Sequence, residues 1–291
     1  NAGELSPRLA ARTTFPKYRA GLALCQNLIP LIEGGVMRRP GGRYVGSVKT
    51  ASQMSCLGKF QFSTSQAYII EKAAGAIRFF RYQARISAAN ITAVITNGTF
   101  PSGITSWTNR STGAASIAHD AANGRLSLVG SGADVAWAEQ VVTNASALAH
   151  SLKFRVLGAA GDQVQLRVGT ASTGSQIVND VSFSVGYHCY TFTAAAADFY
   201  VQFKHAAGKT LQIDDVSLID NSSIEVDSPY TEAQLFDVNG PQSADVLFLF
   251  HGSHRPYKLT RIGHTSWSLS EVEWLDGPYL STNTTATTLD P

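Results

Sequence analysis

The chain has 291 residues, of which 44% are hydrophobic and only 15% are charged. This composition excludes a coiled coil, which needs charged heptads, and a disordered chain, which has fewer aromatic residues than the 10% found here. No apolar run approaches the roughly 20 residues that span a membrane, so we expect no membrane insertion. Three widely spaced cysteines, Cys25, Cys56 and Cys189, fit neither a disulfide framework nor a zinc pattern. We therefore expect reduced thiols and folding in a reducing cytoplasm.

Charge is distributed unevenly, although the formal net charge is only +2. Residues 1–90 carry 13 Lys and Arg against 3 Asp and Glu, residues 91–222 carry 7 against 9, and residues 223–291 carry 3 against 9. A basic beginning and an acidic end predict that the two ends meet, within one chain or across a subunit interface. Nucleic-acid contact is the alternative for the basic end, but its basic residues are scattered and no binding motif accompanies them.

The first 90 residues contain turns, one predicted helix and several strands. Gly and Pro are dense over residues 34–42, which indicates turns and extended chain. A short helix is predicted over residues 20–31, ended by Pro30 or Gly34. Residues 67–72 and 76–82 are rich in β-formers and flank Ala73-Ala-Gly75, so this region predicts a β-hairpin.

The composition changes near residue 90, and Lys and Glu are then almost absent up to residue 220. Short β-rich runs recur every 8–15 residues, at 126–129, 152–157, 164–168, 177–183, 189–193, 199–204 and 211–218. Many short strands without a helical period are typical of an antiparallel sandwich. Residues 91–222 are therefore predicted to form one β-sandwich domain.

The sequence character changes again after residue 222, and the last part of the chain is predicted to form a short helix and several strands. A short helix is predicted over residues 231–237, followed by strands at 245–250, 257–261, 265–269 and 272–275. Together these strands form a four-stranded meander that resembles one blade of a propeller. A single blade cannot bury both of its faces, so it needs residues 1–90, a further segment or a neighbouring subunit as a partner.

The two flanks, over residues 1–90 and 225–280, resemble the tail nozzle (tail tubular protein B) family of short-tailed bacteriophages, and residues 1–90 and 223–291 are predicted to form the ring-building body. The N-terminal flank carries Ala2-Gly-Glu-Leu-Ser-Pro7, Lys17-Tyr18, Cys25-Gln-Asn-Leu28, Gly34-Gly-Val-Met-Arg-Arg-Pro-Gly41, residues 66–70 and Ile77-Arg-Phe-Phe80. The C-terminal flank carries Ser228-Pro-Tyr230, Gln242-Ser-Ala-Asp-Val246, His251, Lys258-Leu-Thr-Arg261, residues 267–269 and Asp276-Gly-Pro278. These motifs occur in the same order as in the family along roughly half of the chain, and this order is a more specific signal for the family than any single motif.

This resemblance implies a structural virion protein without catalytic residues. Several copies, six in the family, would form a ring below the portal and its adaptor and guide phage DNA out of the capsid. Family members continue through further blades, so the chain would be a fragment or a reduced version. Arg38 and Arg39, beside Pro40, are the residues we expect at a subunit or adaptor interface. The implied location is the phage tail, assembled in the host cytoplasm, with tail fibre or spike proteins as further partners.

The middle segment, residues 91–222, resembles carbohydrate-binding modules of the family 4/9 type, which are β-jelly-rolls. The resemblance rests on Thr96-Asn-Gly-Thr-Phe100, Gly103, Trp107, the run 136–140 and Leu211-Gln-Ile-Asp-Asp-Val-Ser-Leu218. The predicted fold is therefore mainly β. A discontinuous body, consisting of an N-terminal arm and a blade-like meander, carries an inserted antiparallel jelly-roll. The insert would contact a host-surface glycan, a tail fibre or the capsid. The alternative is a carbohydrate-binding adhesin or receptor-binding tail protein without a conduit role.

Sugar rings stack their C–H faces on exposed aromatic side chains while their hydroxyls need polar partners. Five aromatic residues of the insert are candidates for such a platform, namely Trp107, Trp137, Tyr187, Tyr190 and Tyr200. The alternative is that both tryptophans belong to the core and the tyrosines pack at strand ends.

Asn97, Asp214 and Asp215 are candidate ligands of a structural calcium ion, which prefers oxygen ligands, and the module family often has such a site. The two aspartates are adjacent, so on a strand they face opposite sides. The alternative is a surface carboxylate beside a buried hydrogen-bond acceptor. No other cofactor is expected.

The sequence lacks the common hydrolase motifs Gly-x-Ser-x-Gly, the Walker loop and His-Glu-x-x-His. A glycosidase needs two facing carboxylates, and the acidic residues of the insert lie mostly in turns. We therefore expect no enzymatic activity, with depolymerisation of host glycans as the alternative.

Overall fold

The computed structural model describes residues 2–64, 66–143, 146–195, 197–205 and 208–274. The Asp276-Gly-Pro278 motif and the end of the predicted strand 272–275 lie outside these residues. Over the described part of the chain the fold is mainly β, with 23 strands and three short 3-10 helices. No helix there is long and apolar enough to cross a membrane. The chain divides into two compact units, residues 1–45 and residues 46–291.

The first unit, here called the arm (residues 2–45), holds two small two-stranded sheets. Its strands are β1 (Gly3–Glu4), β2 (Gly21–Leu22), β3 (Leu28–Pro30) and β4 (Val36–Arg38), and its 3-10 helices are Pro7–Leu9 and Tyr18–Ala20. The helix predicted over residues 20–31 is therefore wrong. Asn27 has φ +54°, outside the right-handed helical region, and Pro30 has no amide hydrogen to donate.

The second unit contains the remaining strands. The segment before residue 90 forms β5 (Cys56–Ser63), β6 (Gln66–Ala73), β7 (Ala76–Arg81) and β8 (Ala84–Arg85). The middle segment forms β9 (Thr108–Asn109), β10 (Ser116–Asp120), β11 (Arg125–Val129), β12 (Ala136–Val142), β13 (Ala149–Leu157), β14 (Gln163–Gly169), β15 (Val178–Ser184), β16 (Gly186–Thr193), β17 (Phe199–His205) and β18 (Thr210–Ile219). The last segment forms β19 (Glu225–Asp227), the 3-10 helix Glu232–Gln234, β20 (Gln242–Ser243), β21 (Val246–His251), β22 (His254–Arg261) and β23 (Trp267–Glu271).

One nine-stranded sheet runs through the whole second unit, in the order β10-β11-β18-β13-β16-β23-β22-β21-β20. It joins the predicted jelly-roll to the predicted blade, because β16 pairs antiparallel with β23 from Gly186–Ser270 to Cys189–Trp267. The residues predicted as insert and as C-terminal body thus share backbone hydrogen bonds. The division of the chain at residues 90 and 223 stays a prediction.

The two halves of this sheet are covered on opposite faces. A five-stranded sheet, β15-β14-β17-β12-β9, packs on the jelly-roll half and encloses the first core, where Phe154 and Phe203 lie 5.2 Å apart between ring centres. A four-stranded sheet, β19-β7-β6-β5, packs on the blade half and encloses the second core, where Phe79 stacks on Trp267 at 3.9 Å. The result is two β-sandwiches that share one sheet.

Strand β16 contributes to both cores because its successive side chains point to opposite faces. Tyr187 and Cys189 belong to the second core. His188, between them, packs against Phe154 and Phe183 of the first core. Alternation along this single strand therefore builds both sandwiches.

The chain enters and leaves the jelly-roll at one place. The amide of Ile224 donates to the carbonyl of Ile86 at 2.9 Å, and the amide of Ala88 donates to the carbonyl of Ser222 at 2.8 Å. Beyond this crossing β19 pairs with β7, which returns the chain to the four-stranded sheet.

The local predictions fare well in the second unit. The hairpin at 67–82 is confirmed as β6 and β7, whose turn contains Gly75 at φ +72°. Each of the seven β-rich runs between 126 and 218 is a strand. Three of the four strands predicted for the meander are confirmed as β21, β22 and β23. The fourth, at 272–275, is wrong for its described residues 272–274, which form no strand, and β20 was not predicted. The helix predicted over 231–237 is reduced to one 3-10 turn.

Candidate functional site

The five-stranded sheet has one face on the first core and one face turned away from it. On the second face, here called the outer face, lie Trp137, Glu139, Arg167, Gln202 and Lys204. The strand register places them together, because Trp137 is opposite Lys204 and Glu139 is opposite Gln202, which in turn is opposite Arg167. Three strands therefore supply one aromatic ring, two cations, a carboxylate and an amide to a single surface.

Trp137 is the half-buried centre of this surface. The guanidinium carbon of Arg167 lies 5.3 Å from its ring centre, and the ammonium nitrogen of Lys204 lies 5.0 Å away. The indole N–H donates to Oε1 of Gln202 at 3.2 Å. These three partners fix the orientation of the half-buried ring.

Asp180, on β15, fixes the two cations beside the tryptophan. Nε of Arg167 donates to Oδ1 at 2.9 Å, its Nη2 pairs with Oδ2, and Nζ of Lys204 lies 3.4 Å from both oxygens. The hydrogen bonds from Arg167, and then the charge of Lys204, lower the pKa of Asp180. The outer face is therefore ordered and carries one excess positive charge beside the ring at neutral pH.

A loop of residues 170–177 lies across the outer face and buries Glu139. The amide of Thr173 donates to Oε2 at 2.6 Å, and Oγ of Ser172 donates to Oε1 at 2.8 Å. Arg110 completes the set with an ion pair at 2.9 Å. Because Glu139 is 2% exposed and its carboxylate is bound by these three groups, it holds the loop in place and does not face solvent.

Tyr200 is the second predicted platform residue on this face. It is half-buried on β17 and lies opposite Val141, four positions along β12 from Trp137. At roughly 3.3 Å per residue the two aromatic positions are about 13 Å apart along the sheet. The structure therefore brings Trp137 and Tyr200 to one surface.

The other three predicted platform residues lie elsewhere. Trp107 is buried in the first core, where it packs near Phe100 and donates its indole N–H to the carbonyl of Asn97 at 3.1 Å. Tyr190 is half-buried against the same core. Tyr187 belongs to the second core and is 9% exposed. A role for them in sugar binding stays a prediction.

Two of the three predicted calcium ligands, Asn97 and Asp214, have other partners for their side chains. The amide nitrogen of Asn97 donates to the carbonyls of Gly103 and Thr105, both at 3.0 Å. Asp214 accepts from the amide of Asp215 and lies 3.8 Å from Nε of Arg125, and burial raises its pKa. Across the described ranges no three His, Cys, Asp or Glu side chains form a group suited to a metal. These contacts do not form a ready set of oxygen ligands, and calcium stays a prediction.

The predicted interface residues Arg38, Arg39 and Pro40 are all exposed at the end of β4 in the arm. Arg39 is oriented by Asn27, since its Nε donates to Oδ1 at 2.7 Å and its amide donates to the backbone carbonyl at 3.0 Å. Among the described residues, no hydrogen bond or ion pair orients the side chain of Arg38.

Sequence reasoning did not single out Arg167, Lys204 or Asp180 as part of the site. A signal for the first two was present, because strict alternation in the runs 164–168 and 199–204 puts their polar residues on one face. Asp180 carried no such signal. It has φ +49° and lies where the β14–β15 register is interrupted, so its direction could not be read from alternation.

Comparisons with known proteins give structural similarity only. No protein-family model and no curated protein matches the sequence. Among solved structures, the apo form of CBM1 of BiXyn10A is 20% identical, with a TM-score of 0.33, covering 45% of this chain and 99% of that one. The family 11 carbohydrate-binding module from Clostridium thermocellum, in complex with a β-1,3-1,4-mixed-linked tetrasaccharide, is 11% identical, with a TM-score of 0.31, covering 47% and 98%.

A phage protein is also among the similar structures. The enzymatically active domain of tailspike protein 4 from bacteriophage CBA120 is 14% identical, with a TM-score of 0.33, covering 43% of this chain and 21% of that chain. At these identities and TM-scores the similarities carry no argument about function, which has to come from the geometry described above.

Proposed function

We propose that the protein is a non-catalytic structural subunit of a short-tailed phage virion, part of an oligomeric tail nozzle through which DNA leaves the capsid. The observation that carries this proposal is the arm. None of its described residues, 2–45, is buried, although their backbone is ordered into two small sheets. Ile32 is 96% exposed and Leu24 is 59% exposed. A segment of this kind is stabilised by burial against another molecule.

The charge of the arm supports another protein chain as that molecule. Residues 2–45 carry seven Lys and Arg against two Asp and Glu, whereas residues 223–274 carry seven Asp and Glu against three Lys and Arg. Opposite charges on two parts of one chain favour head-to-tail contact between copies, and such contacts form a ring when the rotation between neighbouring copies closes. A hexamer, the copy number that the resemblance implies, fits this arrangement, and Arg38, Arg39 and Pro40 lie in the arm where they would reach a neighbouring subunit or the portal adaptor.

The experiment is a mass measurement of the purified chain by light scattering or native mass spectrometry. We expect a closed oligomer that Ile32→Asp converts to smaller species, while Ile262→Asp, at a 45% exposed position of the second unit, leaves it intact. A monomer at every concentration contradicts the proposal. Strong, salt-sensitive affinity of the ring for duplex DNA also contradicts it, because many phosphate contacts would hold DNA that must pass.

A second candidate function is glycan binding by the jelly-roll, and the outer face favours it. A half-buried tryptophan flanked by Arg167, Lys204 and Asp180 offers both the apolar surface and the hydrogen-bonding groups that a sugar needs. We propose that this face contacts a surface glycan of the host, with the protein located in the tail and assembled in the host cytoplasm. Contact with a tail fibre, a spike protein or the capsid is the competing use of the same face.

Glycan-array binding by the purified chain tests this second proposal. Trp137→Ala is expected to abolish binding to the recognised glycan, while Trp274→Ala, at a 67% exposed position outside the sheet, leaves it unchanged. Binding that survives Trp137→Ala, or no recognised glycan on the array, contradicts it.

A further inference from the structure

A recess lies on the opposite side of the jelly-roll from the outer face. It is a cleft of about 450 Å³, here called the corner cleft, and its lining includes Lys153, Arg155, Tyr187, Asp215, Asp227 and Ser228. It lies where the four-stranded sheet ends beside β13 and β18 of the nine-stranded sheet. The predicted insert and the predicted body thus both contribute to it.

One charged group of the cleft is already neutralised. Nζ of Lys153 lies 2.5 Å from Oδ1 of Asp227 and 3.2 Å from Oε1 of Glu225. Burial opposes the charge of this lysine, but the two carboxylates hold its pKa above the usual value. This triad connects β13 to β19, and its one excess negative charge is neutralised by Lys49, whose Nζ lies 3.0 Å from Oε1 of Glu225.

Arg155 and Asp215 form no ion pair with any described residue, although Arg155 lies opposite Asp214 on β18 and interacts electrostatically with that carboxylate. The guanidinium carbon of Arg155 lies 4.9 Å from the ring centre of Tyr187, and no carboxylate of the described residues forms an ion pair with it. The side chain of Asp215 likewise has no hydrogen bond or ion pair within the described ranges. Two opposite charges therefore line one cleft without meeting.

The backbone places Asp215 in this position by a β-bulge. Lys153 is opposite Ser217 and Arg155 is opposite Asp214, so β18 has one residue more than β13 across this stretch. Asp215 takes φ +51°, a conformation that few residues other than glycine adopt and that bulges use to redirect a side chain. Local strain of this kind is typical of functional positions.

The wall formed by β19 and the following residue supplies an unsatisfied hydroxyl. Ser228 is 7% exposed, and its Oγ is buried without a hydrogen-bond partner within the described part of the chain. A buried hydroxyl without a partner is unfavourable. A ligand that enters the cleft and hydrogen-bonds to it would remove this cost.

We propose that the corner cleft binds an acidic sugar unit, whose carboxylate pairs with Arg155 and whose hydroxyls donate to Asp215 and hydrogen-bond to Ser228. The planar guanidinium suits a carboxylate, and an ionised aspartate is an acceptor for hydroxyl groups. A neutral sugar would give Arg155 no anion to pair with, while a simple anion without hydroxyl groups would give Asp215 no hydrogen-bond donor. The proposal rests on the proposed glycan binding for the class of ligand, but it uses a different sheet and different residues.

The experiment is ligand-observed saturation-transfer NMR on the full chain, with methyl β-glucuronide as the probe and methyl β-glucoside as its uncharged counterpart. We expect saturable binding of the glucuronide, and binding of the glucoside weakened by about tenfold, because a charge-assisted hydrogen bond is lost. Equal binding of both probes, or no saturable binding of the glucuronide, overturns the proposal.

Three variants separate this site from the outer face. Arg155→Gln and Asp215→Asn are each expected to weaken glucuronide binding about tenfold, and asparagine retains the tolerance for positive φ that position 215 needs. Circular dichroism establishes that each variant is folded. Trp137→Ala is expected to leave glucuronide binding unchanged. Loss of binding in Trp137→Ala with retention in Asp215→Asn would overturn the corner cleft while supporting the outer face.

Discussion

His188 and Ser268 join the two sandwiches, because Nδ1 of the histidine lies 2.9 Å from Oγ of the serine across the β16–β23 pair. Nε2 of the histidine lies 2.8 Å from the carbonyl oxygen of Ser184. The imidazole therefore has a hydrogen-bonding partner at both nitrogens while it packs against Phe154 and Phe183. It occupies the boundary between residues predicted as insert and residues predicted as body.

The burial of His188 predicts a dependence of stability on pH. Burial lowers its pKa to about 4, whereas the unfolded chain titrates near 6.5. Between these values the unfolded state binds a proton that the folded state does not, so stability falls as the pH falls from about 6.5 to about 4. The loss from this group is roughly 3 kcal/mol.

Urea unfolding followed by circular dichroism between pH 4 and pH 7.5 measures this effect. His188→Gln is expected to make the free energy of unfolding less dependent on pH in that range. An identical pH profile for wild type and His188→Gln would show that the imidazole does not carry it.

Trp267 is expected to be the largest single contributor to the second core. It is fully buried, stacked on Phe79 at 3.9 Å and in edge contact with Phe60 at 5.1 Å. Trp267→Ala should cost about 3–5 kcal/mol in the free energy of unfolding, since it leaves a large cavity. Trp274→Ala, at a 67% exposed position, should change it by less than about 0.5 kcal/mol. Similar losses in the two variants, measured by urea titration, would contradict this assignment.

Gly98 permits the chain to cross closely over β18. Its carbonyl accepts from the amide of Val216 at 2.9 Å, and a Cβ at position 98 would overlap the carbonyl oxygen of Val216. Gly98→Ala is therefore expected to lower the thermal midpoint by several degrees or prevent folding. Gly252→Ala is the matched control because nothing lies near that position. Equal thermal midpoints for the two variants would be the contrary result.

The three thiols should react at very different rates. Burial raises the pKa of Cys189 to about 12, and the side chain is fully buried, whereas Cys25 and Cys56 are half-exposed. A thiol reagent attacks the thiolate. Native protein should therefore show two accessible thiols and a third that reacts only as the chain unfolds. Cys189→Ala should remove only the slow phase, and a fast third thiol in wild-type protein would refute the expected burial.

Local patterns were sufficient to predict much of the fold. Alternation in residues 199–204 and the Ala73-Ala-Gly75 turn identified β17 and the β6–β7 hairpin, because period and turn chemistry are properties of neighbouring residues. The pairing of β16 with β23 was not predicted. It joins strands about 80 residues apart, and nothing in either strand alone specifies its partner.

The candidate site could be predicted only in part, because its geometry also depends on residues that are distant in sequence. Trp137 and Tyr200 were identified as candidates, but their common surface depends on the register of β12 and β17. The burial of Glu139 under the loop 170–177 depends on contacts from Ser172 and Thr173, which sequence alone does not reveal. The helix predicted at 20–31 does not form, because Asn27 adopts a positive φ that its local helix propensity does not reveal.

The shared sheet also determines how mechanical load passes through the molecule. A domain attached by two flexible linkers transmits force only when the linkers are taut. Here β16 and β23 are joined side by side over four residue pairs, so a pull along these strands loads their hydrogen bonds together, in shear, instead of peeling them apart one by one. A force that displaces the jelly-roll would therefore be transmitted directly to the blade and to the core around Trp267.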